Sequence, residues 1–289
     1  MVRGLYTAST GAIVAQSNVD VIANNLANVN TSGFKRTLMQ VESEPKMALF
    51  RDQIDPGQTG DNRTRGVAVH DSVGYLGFGS RIYDTPTNFE QGPIQQTGNP
   101  LDVALSGPGF LSVRNAAGTV AFTRGGSFTQ NQLNQLVTSD GDVLMGANGQ
   151  PLIVQPRPPA PIPPAAAAAA AANGPPPGAP VFGLNIDRQG IVTSNGVPSG
   201  QLALSEFANL TNVRPQGANK FVNAGPAPVR ATQTTVLQGA QERSNAQVVT
   251  SMVGLISNER WFDVNQKMMQ TQDAAVALAI ETVGKSSAA

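Results

Sequence analysis

The chain has 289 residues, enough for one large domain or two smaller ones, and 19 basic residues balance 19 acidic ones. Because the formal net charge is zero, no overall electrostatic field attracts nucleic acid or anionic lipid. The lack of cysteine excludes disulfides and thiolate sites, and no apolar run reaches the ~18 residues of a membrane-spanning helix.

Residues 1–40 are predicted to form an N-terminal assembly helix. Apolar residues recur there at alternating spacings of three and four, the pattern of a helix that keeps one face against a partner. Residues 30–33 interrupt the pattern, and Gly33 is a natural left-handed helix stop. The predicted stripe consists of Leu5, Ala8, Ala12, Ala15, Val19, Ile22, Leu26 and Val29.

The middle of the chain changes from helical to strand-like patterning. Residues 41–85 have no strong period and are predicted to be an extended connection. Residues 86–235 contain short alternating apolar runs separated by glycine, proline and aspartate turns, which predicts an antiparallel β domain. Within it, alanine and proline tracts at residues 156–180 predict an exposed loop.

Residues 236–289 are predicted to form a C-terminal assembly helix with a second apolar stripe. Its companion positions are mixed, since Met252 and Ile280 are apolar whereas Glu259, Gln266 and Asp273 are polar. One helix cannot bury its own stripe, so the two terminal helices are expected to pack on each other and then on neighbouring subunits. Helices that simply cover a sheet are the alternative. The residues that recur every seven positions are Val248, Leu255, Phe262, Met269 and Val276.

The residue types needed for catalysis or metal binding do not assemble into a recognisable motif. His70, beside Asp71, is the only histidine, and the carboxylates do not cluster at metal-ligand spacing. No phosphate-binding loop or nucleophile elbow is present. Trp261 would suit stacking on a nucleic-acid base, but its neighbour Phe262 belongs to the helix stripe. We therefore expect no catalytic, cofactor or metal site and no enzymatic activity.

Residues 24–36, with the sequence NNLANVNTSGFKR, resemble the N-terminal signature of the flagellar rod and hook family of axial proteins. Residues 100–105 and 122–128 are similar to that family's core strands, and residues 239–256 to its C-terminal segment. Two turns depart from the family pattern, Gly125-Gly126 before the Ser-Phe strand and Asn134-Gln135 before the Leu-Val-Thr segment. The resemblance covers nearly the whole chain except residues 41–85 and 156–180.

The resemblance implies an α+β structural subunit, in which paired N- and C-terminal helices form an assembly domain and a central antiparallel β domain lies outside. It implies polymerisation into the axial tube of the basal-body rod. The implied partners are copies of the chain, other flagellar axial proteins and the flagellar type III export apparatus, with no nucleic acid and no membrane insertion. Asn25, Asn28, Gly33 and Phe34 are the signature residues expected to contribute to assembly.

The N-terminus lacks the apolar segment of a secretory signal, so the export that the resemblance implies is expected to proceed without a cleaved signal peptide. The expected location is the rod, where it spans the periplasm. Within the family, residues 3–8 and 280–284 are more similar to proximal than to distal rod proteins. A distal rod subunit is the alternative, followed by a hook subunit. Outside the family, a surface β domain with helical caps and an enzyme with an unrecognised site remain as competing classes.

Overall fold

The computed structural model describes residues 2–44, 47–52, 70–77, 79–154 and 183–286. The chain divides into two compact units, and each draws on segments that are distant in sequence. The first unit comprises Met1–Asn24, Leu38–Pro86 and Val249–Ala289, and the second comprises Asn25–Thr37 and Thr87–Val248. The predicted loop at residues 156–180 lies outside the described residues.

Two long helices dominate the first unit. Helix α1 spans Val2–Ala27 and helix α2 spans Val248–Ser286. Both lack internal proline, and alanines within α1 favour the helical conformation. Helix α1 ends at Ala27, ahead of Gly33, so the predicted glycine stop marks the chain beyond the helix rather than its last turn.

Residues 41–85 contain paired strands, which the expectation of an extended connection did not include. Strand β1 (Gln40–Ser43) pairs with β4 (Ser80–Asp84), and β2 (Met47–Asp52) pairs with β3 (His70–Leu76), in both cases antiparallel. The first pair sets Val41 against Ile82, and the second sets Met47 against Leu76. These strands group with the helices in the first unit.

The second unit is built on antiparallel β-sheet. In its nine-stranded sheet, seven strands follow the order β16-β17-β8-β7-β11-β10-β9, and β15 joins β7 and β18. Strands β12, β13 and β14 form a separate three-stranded sheet, and two strand pairs, β6 with β19 and β5 with β20, complete the unit. A short 3-10 helix, Leu210–Asn212, precedes β16.

The strands of this unit are short, as the turn spacing predicted. They are β5 (Ile94–Gln96), β6 (Val103–Ser106), β7 (Phe110–Arg114), β8 (Val120–Thr123), β9 (Thr129–Gln130), β10 (Leu136–Val137), β11 (Val143–Leu144), β12 (Leu184–Ile186), β13 (Ile191–Ser194), β14 (Val197–Gln201), β15 (Leu204–Glu206), β16 (Val213–Gly217), β17 (Lys220–Asn223), β18 (Val229–Arg230), β19 (Thr235–Gln238) and β20 (Ala240–Glu242).

The second unit has two apolar clusters. The larger is mainly aliphatic and includes Leu111, Leu136 and Val192, all fully buried, together with Phe128. The smaller is aromatic, with Phe110, Phe122, Phe207 and Phe221 packed edge to face. Terminal helices together with a central antiparallel β domain confirm the α+β class predicted from the sequence.

Candidate assembly site

Helices α1 and α2 lie antiparallel in one defined register. The Asn18 side-chain amide donates a hydrogen bond to the Asn258 side-chain oxygen, at 2.8 Å. Each step of seven residues forward along α1 is matched by a step of seven residues backward along α2. The matched pairs are Gly4 with Gln272, Gly11 with Asn265, and Asn18 with Asn258.

The glycines of α1 make room for the larger side chains of α2. The Gln272 amide occupies the space that a Cβ atom on Gly4 would need, and a Cβ atom on Gly11 would lie 3.0 Å from the Asn265 oxygen. Near the other end the sizes reverse, because Ile22 of α1 lies against Gly254 of α2. The contact between the helices therefore mixes small and polar residues with the predicted apolar ones.

The predicted stripe of α1 lies on the covered side of the helix. Ala8, Ala12 and Ala15 are buried. The larger members of the stripe, Leu5, Val19, Ile22 and Leu26, are half-buried.

The predicted stripe of α2 divides into two groups. The four members after Val248 are half-buried, and they alternate with a second half-buried series that also recurs every seven residues and is mostly polar. Val248 and Met252, by contrast, are exposed, and Met252 has 50% of its surface accessible. The companion positions are therefore the polar series, not the series containing Met252 and Ile280. The half-buried residues are Leu255, Phe262, Met269 and Val276, with Ser251, Asn258, Asn265, Gln272 and Ala279.

Two asparagines of the N-terminal signature hydrogen-bond to residues that follow α1. Asn25 is buried, and its side chain both accepts from the Thr37 N–H, at 2.9 Å, and donates to the Thr37 carbonyl, at 2.8 Å. Asn28 is half-buried, and its side-chain oxygen accepts from the Thr31 hydroxyl at 3.2 Å. These hydrogen bonds fold the chain back directly after the helix.

Gly33 is held against the β domain in a conformation suited to glycine. Its φ angle is 68°, and a Cβ atom would lie 2.5 Å from the Arg124 carbonyl oxygen. The Gly33 N–H donates to the Glu242 carbonyl at 2.7 Å. The half-buried Phe34 follows, and its carbonyl accepts from the Asn245 N–H at 3.3 Å. The segment after α1 thus pairs with the segment that leads into α2.

Three charged side chains meet in the interior of the second unit. Glu242 has no accessible surface, and its carboxylate accepts from Lys35 Nζ at 2.5 Å and from Arg124 Nη1 at 3.3 Å. We call Lys35, Arg124 and Glu242 the buried charge cluster. Gly92 N–H also donates to the carboxylate, at 2.9 Å. With two cations and one anion, the cluster carries a formal charge of +1.

Further hydrogen bonds stabilise the two cations. Lys35 Nζ donates to the Glu90 carbonyl at 2.7 Å, and Arg124 Nη2 donates to the Gly107 carbonyl at 2.6 Å. The Arg124 guanidinium also lies over the Phe110 ring, 4.9 Å from its centroid. Burial lowers the pKa of Lys35 and the pKa of Arg124, and the Glu242 charge opposes both shifts.

Asn245 ties the same segments together beside the buried charge cluster. Its side-chain oxygen accepts from the Arg36 N–H at 2.7 Å, and its amide donates to the carbonyls of Asn88 and Glu90. The signature residues 33–36 and the residues 242–245 therefore form one hydrogen-bonded junction, built from opposite ends of the sequence.

Large apolar side chains remain exposed on both helices. On α1 these are Tyr6 and Ile13, and on α2 the most conspicuous is Trp261, with 70% of its surface accessible. The exposed residues of α2 occupy several faces, which is characteristic of a helix covered on several sides. We call this set the exposed helix surface: Tyr6, Ile13, Val249, Met252, Val253, Ile256, Trp261, Val264, Met268, Leu278 and Ile280.

Sequence reasoning missed the polar side of the helix contact and the buried charge cluster. The seven-residue repeats of Gly4 and Gly11, and of Asn258 and Asn265, were a usable signal for the first. No local signal linked Lys35 to Glu242.

Within the described ranges, no group of three or more potential metal ligands occurs. No helix in the described part of the chain combines the length and hydropathy needed to span a bilayer.

Three family models match separate parts of the chain. Residues 5–35 match the flagella basal body rod protein model, and residues 104–194 match the flagellar hook protein FlgE/F/G D1 domain. Residues 237–275 match the flagellar basal body rod FlgEFG protein C-terminal model. The first and third matches include most of the predicted assembly residues.

Similar proteins match nearly the whole chain. The flagellar basal-body rod protein FlgG of Buchnera aphidicola subsp. Schizaphis graminum is 32% identical, with 94% of this chain and 96% of the relative covered. FlgG of Borreliella burgdorferi is 30% identical, covering 96% and 98%. The flagellar basal-body rod protein FlgF of Caulobacter vibrioides is 28% identical, covering 99% of both chains. These matches confirm the resemblance seen in the sequence, and the chain belongs to the flagellar basal-body rod family of axial proteins.

Proposed function

We propose that this chain, a structural subunit of the flagellar basal-body rod, polymerises through the exposed helix surface into the axial tube that transmits torque. The observation that carries this proposal is the set of large apolar side chains left exposed on α1 and α2. Fully burying one such side chain contributes about 1.5–3 kcal/mol. Contacts with neighbouring copies would bury them on several sides at once.

A further property supports stacking of identical subunits. The balanced charge of the chain, with 19 basic and 19 acidic residues, minimises net electrostatic repulsion between copies.

The proposed assembly residues fall into three structural roles. The covered stripe residues support the helix pair; Ala12 is buried and the others, Leu5, Val19, Ile22, Leu255, Phe262, Met269 and Val276, are half-buried. The signature residues Asn25, Leu26, Asn28, Gly33 and Phe34 shape the junction that follows α1. Val248 and Met252 are exposed and would contact neighbouring subunits.

We propose the remaining features from the family. The chain would be exported by the flagellar type III apparatus without a cleaved signal and would join other axial proteins in the periplasm-spanning rod. Residues 3–8 and 280–284 favour the proximal rod. The distal rod is the second candidate.

Deletion of the gene in its flagellated host tests the proposal directly. We expect loss of swimming and of the hook, both restored by the gene on a plasmid. Electron microscopy of purified basal bodies would show where the rod is truncated, and a stub close to the membrane ring would indicate the proximal position. A longer stub would assign the chain to the distal rod. Normal rods, hooks and swimming would refute the rod function.

A further inference from the structure

The contact between α1 and α2 follows an ordered rule of size. Two glycines in the N-terminal half of α1 lie against larger side chains of α2. Gly4 faces Gln272 and Gly11 faces Asn265. Ala8 and Ala15, which alternate with these glycines along α1, are also buried. The Ile22–Gly254 contact reverses the rule at the other end of the pair.

One polar pair lies between these two regions. Asn18 and Asn258 are both half-buried and hydrogen-bond to each other through their side chains. A buried asparagine at a helix–helix contact is known to specify register at a cost in stability, because any other alignment leaves its amide unpaired. Here the Asn258 amide additionally donates to the Gly254 carbonyl, at 2.8 Å, which fixes its orientation.

We infer that these residues form a pairing code, which makes α1 select the α2 helix of its own chain in a single register. The code consists of the Gly4, Gly11 and Asn18 positions on α1 and the Gln272, Asn265 and Asn258 positions on α2. The inference rests on the proposed function, because the helix pair is the unit that would polymerise. To the proposed function the inference adds the identity of the residues that decide which helices pair.

Self-pairing is disfavoured by the same geometry. Two α1 helices would bring glycine against glycine and alanine against alanine, which leaves voids and little buried surface. Two α2 helices would bring large side chains such as Phe262 and Met269 against each other and force the backbones apart. Only the mixed pair fills the contact. Selection of this kind matters in a polymer, where many identical helices lie close together and the exposed helix surface must remain free for neighbouring copies.

Cysteine cross-linking can read out the register, since the chain has no cysteine of its own. The reporter carries Gly11→Cys with Asn265→Cys in the purified full-length chain at low micromolar concentration. The comparison carries Gly11→Cys with Gln272→Cys, one heptad out of register. We expect the first to form an intramolecular disulfide in at least about tenfold excess over the second, the ratio that one buried hydrogen bond can provide.

The test of the code is Asn18→Leu combined with Asn258→Leu in both reporter backgrounds. Leucine has the shape of asparagine without its hydrogen bonds, so we expect helix content and thermal stability to be maintained or raised while the register preference falls about tenfold. Chains with a single cysteine, Gly11→Cys or Asn265→Cys, should form more disulfide-linked dimers in the leucine background. A preference that is unchanged by the two leucines, or absent from the unmodified reporter, would overturn the inference.

Motility of the deletion strain, complemented with the same variants, separates the two proposals. If the strain needs the chain to build a rod but the cross-linking pattern does not depend on Asn18 and Asn258, the pairing code alone is refuted. If cross-linking follows the expected pattern but the deletion strain builds a rod without the chain, the proposed function alone is refuted.

Discussion

Glu242 joins parts of the chain that are 207 positions apart, because its fully buried carboxylate pairs with Lys35. A buried carboxylate is tolerated only when charges and hydrogen bonds replace its hydration, and here Lys35, Arg124 and the Gly92 N–H do so. The two cations depend on Glu242 in turn. Since the cluster carries one more positive than negative charge, the carboxylate is its least replaceable member.

We predict an asymmetry between the members of the buried charge cluster. Glu242→Gln leaves two buried cations without a counter-charge and should lower the free energy of unfolding by about 3–5 kcal/mol. Lys35→Met leaves a neutral Glu242–Arg124 pair and should cost less, about 1–3 kcal/mol. Urea denaturation followed by far-UV circular dichroism measures both.

The matched control is Glu90→Gln. Glu90 forms an exposed ion pair with Arg36, at 3.8 Å, with 76% of the Glu90 side chain accessible. Such pairs contribute about 0–1 kcal/mol, so the control should stay close to the parent chain. If Lys35→Met proved more damaging than Glu242→Gln, the account of the excess positive charge would be refuted.

At the level of elements, the sequence predicted the helices and strands that show a repeating pattern of apolar residues over a short stretch of chain. Both helices and the short strands of the β domain followed from periodicity and turn spacing, and the predicted stripe residues other than Val248 are buried or half-buried. The polar residues Asn258 and Asn265 were missed because they do not continue an apolar pattern, whereas Met252, which is exposed, does. The β1–β4 and β2–β3 pairs were missed because residues 41–85 lack a clear alternation. Strand order in the nine-stranded sheet depends on long-range pairing, which no local pattern encodes.

Gly33 provides a test of the connection between α1 and the β domain. Gly33→Ala combines a φ of 68° with a Cβ atom 2.5 Å from the Arg124 carbonyl oxygen. The conformation alone should cost about 1–2 kcal/mol, and the overlap with the backbone a further ~1–3 kcal/mol. Urea denaturation of the variant measures the sum.

Gly98→Ala separates the two contributions. Gly98 has a similar φ of 75°, and a Cβ atom there would meet nothing within 4 Å. Its substitution should therefore show the conformational cost only. Equal losses of stability in the two variants would mean that the close approach of Gly33 to Arg124 contributes nothing.

For the whole molecule, the side of the helices that is covered in the α1–α2 pair is separate from the exposed helix surface that we propose for polymerisation. Phe262 is half-buried in the α1–α2 contact, whereas Val264, two residues later, belongs to the exposed helix surface. This division could not be derived from the sequence, since both residues are apolar and adjacent faces of α2 are equally rich in such residues. The signature at residues 24–36 identified the family, but only the register between the helices shows which face remains free.

Two aspartate substitutions should therefore fail at different stages. Val264→Asp should leave the chain folded, with unchanged helix content, yet prevent swimming, because a carboxylate would be buried between subunits. Phe262→Asp should also reduce the helix content of the purified chain. Circular dichroism, together with motility of the complemented deletion strain, distinguishes the two defects.

The control for added charge is Gln266→Glu, at an exposed polar position of α2. It should swim normally. Swimming by the Val264→Asp strain would contradict the assignment of the exposed helix surface to contacts between subunits.

The link between Lys35 and Glu242 also governs the order in which the second unit can fold. Closing a loop of 207 positions costs more conformational entropy than closing the short hairpins of the same unit, so this link is expected to form late in folding. Until Glu242 has been synthesised, Lys35 and Arg124 would be two like charges without a partner in a closing core. The incomplete chain is thus kept open, and the unit can acquire its native core only when nearly its full length is present.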